Sequence, residues 1–161
     1  MAYADLREFV AHLEKEGWLK RVSVPVSRDL EIAEITDRVS KTAGGRNMAL
    51  LFENVQGFEM PVLINAFGSR ERMAAALGVE RLDDVSARVA KLLDLRMPGS
   101  MFDKLRKLGD LIDLAKAGPK RVRSAPCQEV VETDHPSLAT LPVLRCWPGD
   151  GGRYILSLIH I

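Results

Sequence analysis

Cys127, His135 and Cys146 are the residues of this sequence whose chemistry most readily suggests a metal, because thiolate and imidazole are the common zinc ligands. Their spacing speaks against it, since zinc sites usually pair ligands roughly two to four residues apart. Buried or incidental roles suit them better. Asp83-Asp84 offers two adjacent carboxylates for acid–base work, yet both stand where a helix should begin and where its dipole stabilises negative charge. Gly149-Asp150-Gly151-Gly152 would let backbone pass close to a ligand, but it matches neither a phosphate loop nor a dinucleotide fingerprint and reads as a turn. Lys120-Arg121-Val122-Arg123, after Lys104, Arg106, Lys107 and Lys116, is the most basic stretch and a candidate phosphate contact. Asp103, Asp110 and Asp113 are interleaved with it and no aromatic stacking platforms are, so a solvated helix face or a subunit contact is the better reading.

The elements that must position these groups follow from periodicity. Leu6, Phe9, Val10 and Leu13 recur at helical spacing, with Asp5 as cap and Gly17 as stop, which predicts a helix over Asp5–Glu16. Trp18 to Val24 alternates, with Trp18, Val22 and Val24 on one face, and Pro25 closes it as a half-buried strand. A second helix is expected from about Asp29 to Lys41, with Ile32, Ile35 and Val39 facing inward, ending at Gly44-Gly45. Ala49–Phe52 and Pro61–Asn65 read as adjacent, fully buried strands separated by the turn residues Glu53 to Gly57. Ser69 caps a short helix over Arg70–Leu77, and Gly78 stops it. Helical patterns then cover residues 83–95 and about Met101 to Ala117, broken by Pro98-Gly99 and ended by Gly118-Pro119. Beyond them the texture changes to short strand-like stretches at Gln128–Val131 and Leu141–Leu144 between proline-rich turns.

Bulk properties exclude several classes. With 47% apolar and 28% charged residues, the chain has the balance of a globular protein and no sign of disorder. A formal charge of +1 produces no field that would draw it to nucleic acid or an anionic membrane. Two cysteines are too few for a disulfide framework, the start lacks a secretory signal, and no apolar run approaches the roughly 20 residues of a membrane span. The expectation is a soluble cytoplasmic protein.

Read as phrases, the sequence resembles a known family. Tyr3-Ala4-Asp5-Leu6-Arg7-Glu8-Phe9, Gly17-Trp18-Leu19-Lys20-Arg21-Val22 and Leu30 to Arg38 match its opening. Ala49 to Asn54 and Met60 to Asn65 match its strand pair; Ala125-Pro126-Cys127-Gln128, Leu141-Pro142 and Cys146 to Gly152 match the approach to its second domain. The sequence is in this way similar to the UbiD family of prenylated-flavin-dependent decarboxylases, which includes 3-octaprenyl-4-hydroxybenzoate carboxy-lyase. The resemblance implies an α/β (α+β) amino-terminal domain with a small mixed sheet over residues 1–80. It implies a helical linker over 81–120 and, over 121–155, the first strands of a split β-barrel that binds prenylated FMN with manganese and potassium. It further implies (de)carboxylation of an aromatic or α,β-unsaturated acid, with a 4-hydroxybenzoate-type acid of ubiquinone or menaquinone biosynthesis as the expected substrate. A homo-oligomeric parent and a flavin prenyltransferase as cofactor supplier belong to the same expectation.

The family's metal, phosphate and catalytic residues lie downstream of Ile155, so no catalytic, cofactor or metal residue is carried onto this sequence, and Glu31, Glu34 and Asp37 receive no catalytic role. Residues 156–161, Leu-Ser-Leu-Ile-His-Ile, read as the translation of a sequencing-library transposon end, which makes them a non-native tail and His160 no functional histidine. On this reading the chain is an inactive amino-terminal fragment. The competing expectations are a non-catalytic assembly or binding module and a nucleic-acid binder acting through the basic connector.

Overall fold

The computed structural model describes residues 3–42, 46–93 and 121–155. Its elements are α1 (Leu6–Lys15), β1 (Leu19–Val22), α2 (Glu31–Ser40), β2 (Ala49–Phe52), β3 (Val62–Ile64), α3 (Arg70–Leu77) and α4 (Leu82–Leu93). Two single 3-10 turns, Pro126–Gln128 and Leu138–Thr140, come later in the chain. The chain divides into two compact units, Met1–Leu82 with Ser137–Ile161, and Asp83–Pro136.

Local signals set most boundaries of the first unit. The Asp5 carboxylate accepts from the Glu8 amide at 2.9 Å and starts α1. At its other end Gly17 takes φ +69, so its amide reaches Glu14 O and the Trp18 amide reaches Leu13 O, which satisfies two orphan carbonyls. Ser69 accepts from the Arg72 amide and Gly78 adopts the left-handed conformation, so α3 has the expected bounds. Ser69→Ala should cost about 1 kcal/mol in urea denaturation while Ser69→Asp stays near wild type; equal stability of both variants would show that the cap contributes nothing.

The sheet is mixed, in the order β1-β2-β3. β1 and β2 are parallel, with Leu19 opposite Ala49 and Val22 opposite Phe52, and α2 makes the crossover that a parallel pair requires. β3 returns antiparallel, with Leu50 opposite Ile64 and Phe52 opposite Val62. Alternation along β2 then divides the core between the two faces. Leu50 and Phe52 join Val26, Ile32 and Val55, with Ile35 and Val39 of α2 and Leu144 packed against them. Ala49 points the other way, to Phe9 and Leu13 of α1, with Ala75 and Ala76 of α3 alongside.

Four expectations need correction. β3 is half-buried rather than fully buried, because it forms one edge of the sheet. β1 stops at Val22, and Val24, assigned inward by alternation, is 62% exposed. The second helix starts at Glu31 because Leu30 has φ +68, outside the helical region. No strand forms over Gln128–Val131 or Leu141–Leu144. Val130 and Val131 are 89% and 70% exposed, and Pro142 removes an amide that a ladder over Leu141–Leu144 would use. Gly44-Gly45, residues 94 and 95 and the helix expected over Met101 to Ala117 lie outside the described residues.

Candidate functional site

The sequence-level candidates are dispersed. Asp83 and Asp84 occupy the exposed first turn of α4, as a dipole role requires. His135 is exposed in the second unit and Cys146 is exposed in the first, while the side chain of Cys127 lies outside the description. Among the described residues no group of three His, Cys, Asp or Glu side chains is placed to hold a metal ion. Arg121 and Arg123 are exposed; Lys104, Arg106, Lys107, Lys116 and Lys120 lie outside the described residues. Glu31 accepts from the Ser27 amide at 2.7 Å, Glu34 pairs with Arg38 and Asp37 with Lys41 one turn on, so each has a local structural role. Trp147-Pro148-Gly149-Asp150 closes as a turn, Trp147 N–H donating to Asp150 Oδ2 at 2.9 Å and Asp150 N–H to Trp147 O at 3.1 Å.

Two other clusters carry the structure's polar chemistry. The first joins the turn before α2 to the segment that leads into the glycine run. Arg145 N–H donates to Arg28 O at 3.2 Å and Leu30 N–H to Arg145 O at 3.0 Å, a parallel bridge between Asp29 and Arg145. Arg153 Nη2 reaches both carboxylate oxygens of Asp29, at 2.8 and 2.7 Å. Arg28 donates to Leu141 O at 3.2 Å, and its guanidinium carbon sits 4.3 Å from the centre of the Phe58 ring. Arg145 Nη2 donates to Pro148 O at 2.7 Å, while its buried Nε has no partner among the described residues.

The backbone at this seam is strained. Glu31 N–H closes on Asp29 O at 2.8 Å around Leu30, whose φ and ψ are 68 and −35. That is a γ-turn of the rarer, positive-φ kind, which a residue with a Cβ adopts only when its surroundings impose it. No pattern in the sequence distinguishes Leu30 from an ordinary first apolar residue of a helix.

The second cluster surrounds Arg72, which is 2% exposed. Its guanidinium donates to Asn47 O at 2.6 Å, Asn47 Oδ1 at 3.0 Å, Asn65 O at 3.2 Å and Ala66 O at 3.3 Å. Asn65, at φ +57, donates from its amide to Asn47 Oδ1 and Met48 O, both at 2.7 Å, and the Asn47 amide reaches Gly68 O. Burial pushes the Arg72 guanidinium below its ordinary pKa, and Glu71 partly opposes that shift. The network ties the strand approaching β2 to the turn after β3; its ligands are the protein's own carbonyls. On the surface, Arg21 bridges Glu14 of α1 and Glu53 after β2, and its hydrogen bonds hold the Glu14 carboxyl below its usual value.

Comparison with known proteins places these clusters in a family. Residues 10–92 match the amino-terminal domain of 3-octaprenyl-4-hydroxybenzoate carboxy-lyase, and residues 120–161 match its Rift-related domain. An uncharacterized protein of Aquifex aeolicus is 46% identical over 95% of this chain, and one of Archaeoglobus fulgidus is 48% identical over 96%. The chain spans 31% of the length of each of these relatives. Among solved structures, the closed form of the vanillic acid decarboxylase of Sedimentibacter hydroxybenzoicus superposes with a TM-score of 0.68 at 30% identity. It covers 95% of this chain and 29% of the decarboxylase. An evolved dimeric form of the UbiD-class enzyme HmfF from Pelotomaculum thermopropionicum, in complex with prFMN, gives 0.63 at 30% identity over 95% of this chain and 30% of that one. Matched across both of its regions by sequence and across 95% of its length by structure, the chain belongs to the UbiD family of carboxy-lyases.

Proposed function

We propose that this chain supplies the amino-terminal domain of a prenylated-FMN-dependent carboxy-lyase, together with the approach to its flavin-binding domain. The substrate class is an aromatic or α,β-unsaturated acid, of the 4-hydroxybenzoate type used in quinone biosynthesis. The observation that supports this reading best is the match to both UbiD regions in one chain, in the order found in the family. Bound prFMN is named for the HmfF relative, which supports the choice of cofactor.

When bound, the prenylated flavin supplies the electron sink for loss of carbon dioxide. The described residues provide no metal-ligand cluster for the manganese and potassium that accompany it in the resemblance, so no catalytic step is assigned to them. What they do is structural. They hold the Gly149–Arg153 segment, which lies within the Rift-related match, against the turn before α2. The remaining parts of the reading are a cytoplasmic location, a homo-oligomeric parent and a flavin prenyltransferase as supplier. Among the described residues no helix is long and apolar enough to cross a membrane.

The test is to express the 161-residue chain and a version extended at its carboxyl end to the length of the relatives, each with a flavin prenyltransferase. The expected result is flavin absorbance and carbon dioxide release from 4-hydroxybenzoate-type acids in the extended protein alone. Full activity in the 161-residue chain would relocate the site into the residues described above. An extended protein that folds and oligomerises but never takes up flavin would favour a non-catalytic assembly module.

A further inference from the structure

We propose that the Asp29–Leu30 turn is a positioning element, a strained catch on the first domain that sets the course of Arg145–Arg153. The proposal rests on the functional reading only for its purpose, namely that this segment belongs to the flavin-binding region. Its physical content stands on the seam itself.

Three observations converge on one point. Leu30 carries a positive φ with a Cβ, and such conformations persist only where neighbouring contacts over-determine them. Local bonds from Glu31 N–H to Asp29 O and from Ser27 N–H to the Glu31 carboxylate hold the turn from its own side, and further contacts come from across the seam. Leu30 N–H is taken by Arg145 O, Arg28 O takes the Arg145 amide, and both carboxylate oxygens of Asp29 are taken by Arg153. The turn and the segment therefore hold each other in shape, over a sequence separation of 124 residues. Leu144, partly buried, packs against the core cluster that includes Ile32, which fixes the segment's depth. What remains for Asp29 and Arg153 to determine is its direction. The ion pair adds a second attachment beyond the Arg145 bridge, and two anchored points set the line that the segment takes. Gly149, Gly151 and Gly152 lie between the Arg145 bridge and the Arg153 ion pair, so the run most able to change course is pinned at both ends.

Amide hydrogen exchange on the whole chain tests this directly. In Asp29→Asn and in Arg153→Gln, the Leu30 and Arg145 amides should exchange about two- to fivefold faster, the range set by an exposed ion pair. The Ala49 and Glu53 amides, which bond to Trp18 O and Val22 O in the sheet, should be unchanged. Asp29→Arg combined with Arg153→Asp should restore protection, a rescue that a purely local role for either residue would not give. Unaltered exchange at Arg145 in both single variants overturns the proposal. So does a uniform acceleration that includes Ala49 and Glu53, or a swap that restores nothing. No flavin enters the measurement, so its failure leaves the functional reading standing, and failure of flavin uptake leaves the catch intact.

Discussion

Arg72→Met should destabilise the first unit by about 3 kcal/mol, as measured by urea or thermal denaturation, because buried carbonyl oxygens depend on its guanidinium for their donors. Methionine reproduces the apolar stem of arginine only as far as Nε, so part of the loss is the void left by the guanidinium carbon and its two terminal nitrogens. The rest comes from the acceptors. Asn47 O, Asn47 Oδ1, Asn65 O and Ala66 O all take guanidinium protons. Each buried carbonyl left without a donor costs about 1–3 kcal/mol, offset in part by no longer burying a cation. Asn47 Oδ1 keeps the Asn65 amide as a donor, which lowers the total. Arg72→Lys should lie between wild type and Met, because an ammonium cannot reproduce a planar fork that serves carbonyls in three directions. A methionine variant as stable as wild type would mean that water replaces the guanidinium, and the buried network would then be structurally idle.

This contrast between Arg72 and the surrounding helix shows what the sequence made legible. Ser69 and Gly78 bracket α3 through side-chain and backbone preferences that operate within one turn, so the helix was readable to the residue. Ala49–Phe52 was equally plain, because a strand buried on both faces is apolar without alternation. Arg72 carries no local signal of its role, since nothing nearby in sequence reveals that Asn47 and Asn65 will converge on it from 25 and 7 residues away. Leu30 failed as a helix residue for the same reason. Its φ is imposed by Arg145, more than a hundred residues on, while the local pattern favoured helix. Val130 and Val131 suggested a strand because β-branched side chains fit a pleated surface, but a strand also needs a neighbour to bond with, and none among the described residues provides one. The family resemblance rested on phrases and needed no geometry. The seam at Asp29 and the network at Arg72 rest on contacts distant in sequence, which phrases do not report.

Gly68→Ala should produce a loss of similar size, about 2–4 kcal/mol, through the same network from the opposite side. A Cβ at Gly68 would overlap Asn65 Oδ1 and come within 2.7 Å of Asn65 Cγ and 2.8 Å of Arg72 Nη2. Neither neighbour has room to give way. The Asn65 side chain is held by Asn47 Oδ1 and Met48 O, and Arg72 is held by the carbonyls around it. Backbone strain is not the cause, because Gly68 is not among the positive-φ glycines. The methyl must therefore displace the Asn65 amide, and with it the donor that Met48 O requires. Because both substitutions dismantle one set of hydrogen bonds, their costs should fall well short of additive. The double variant should lose about as much as the worse single, and a double-variant cycle in urea measures the shortfall directly. Strict additivity would show that Gly68 and Arg72 act on separate structures. In the alanine variant Asn65→Gly removes the overlapping side chain and suits the φ of +57, but it also leaves Met48 O without its donor, so a partial recovery would locate the clash at Asn65 itself.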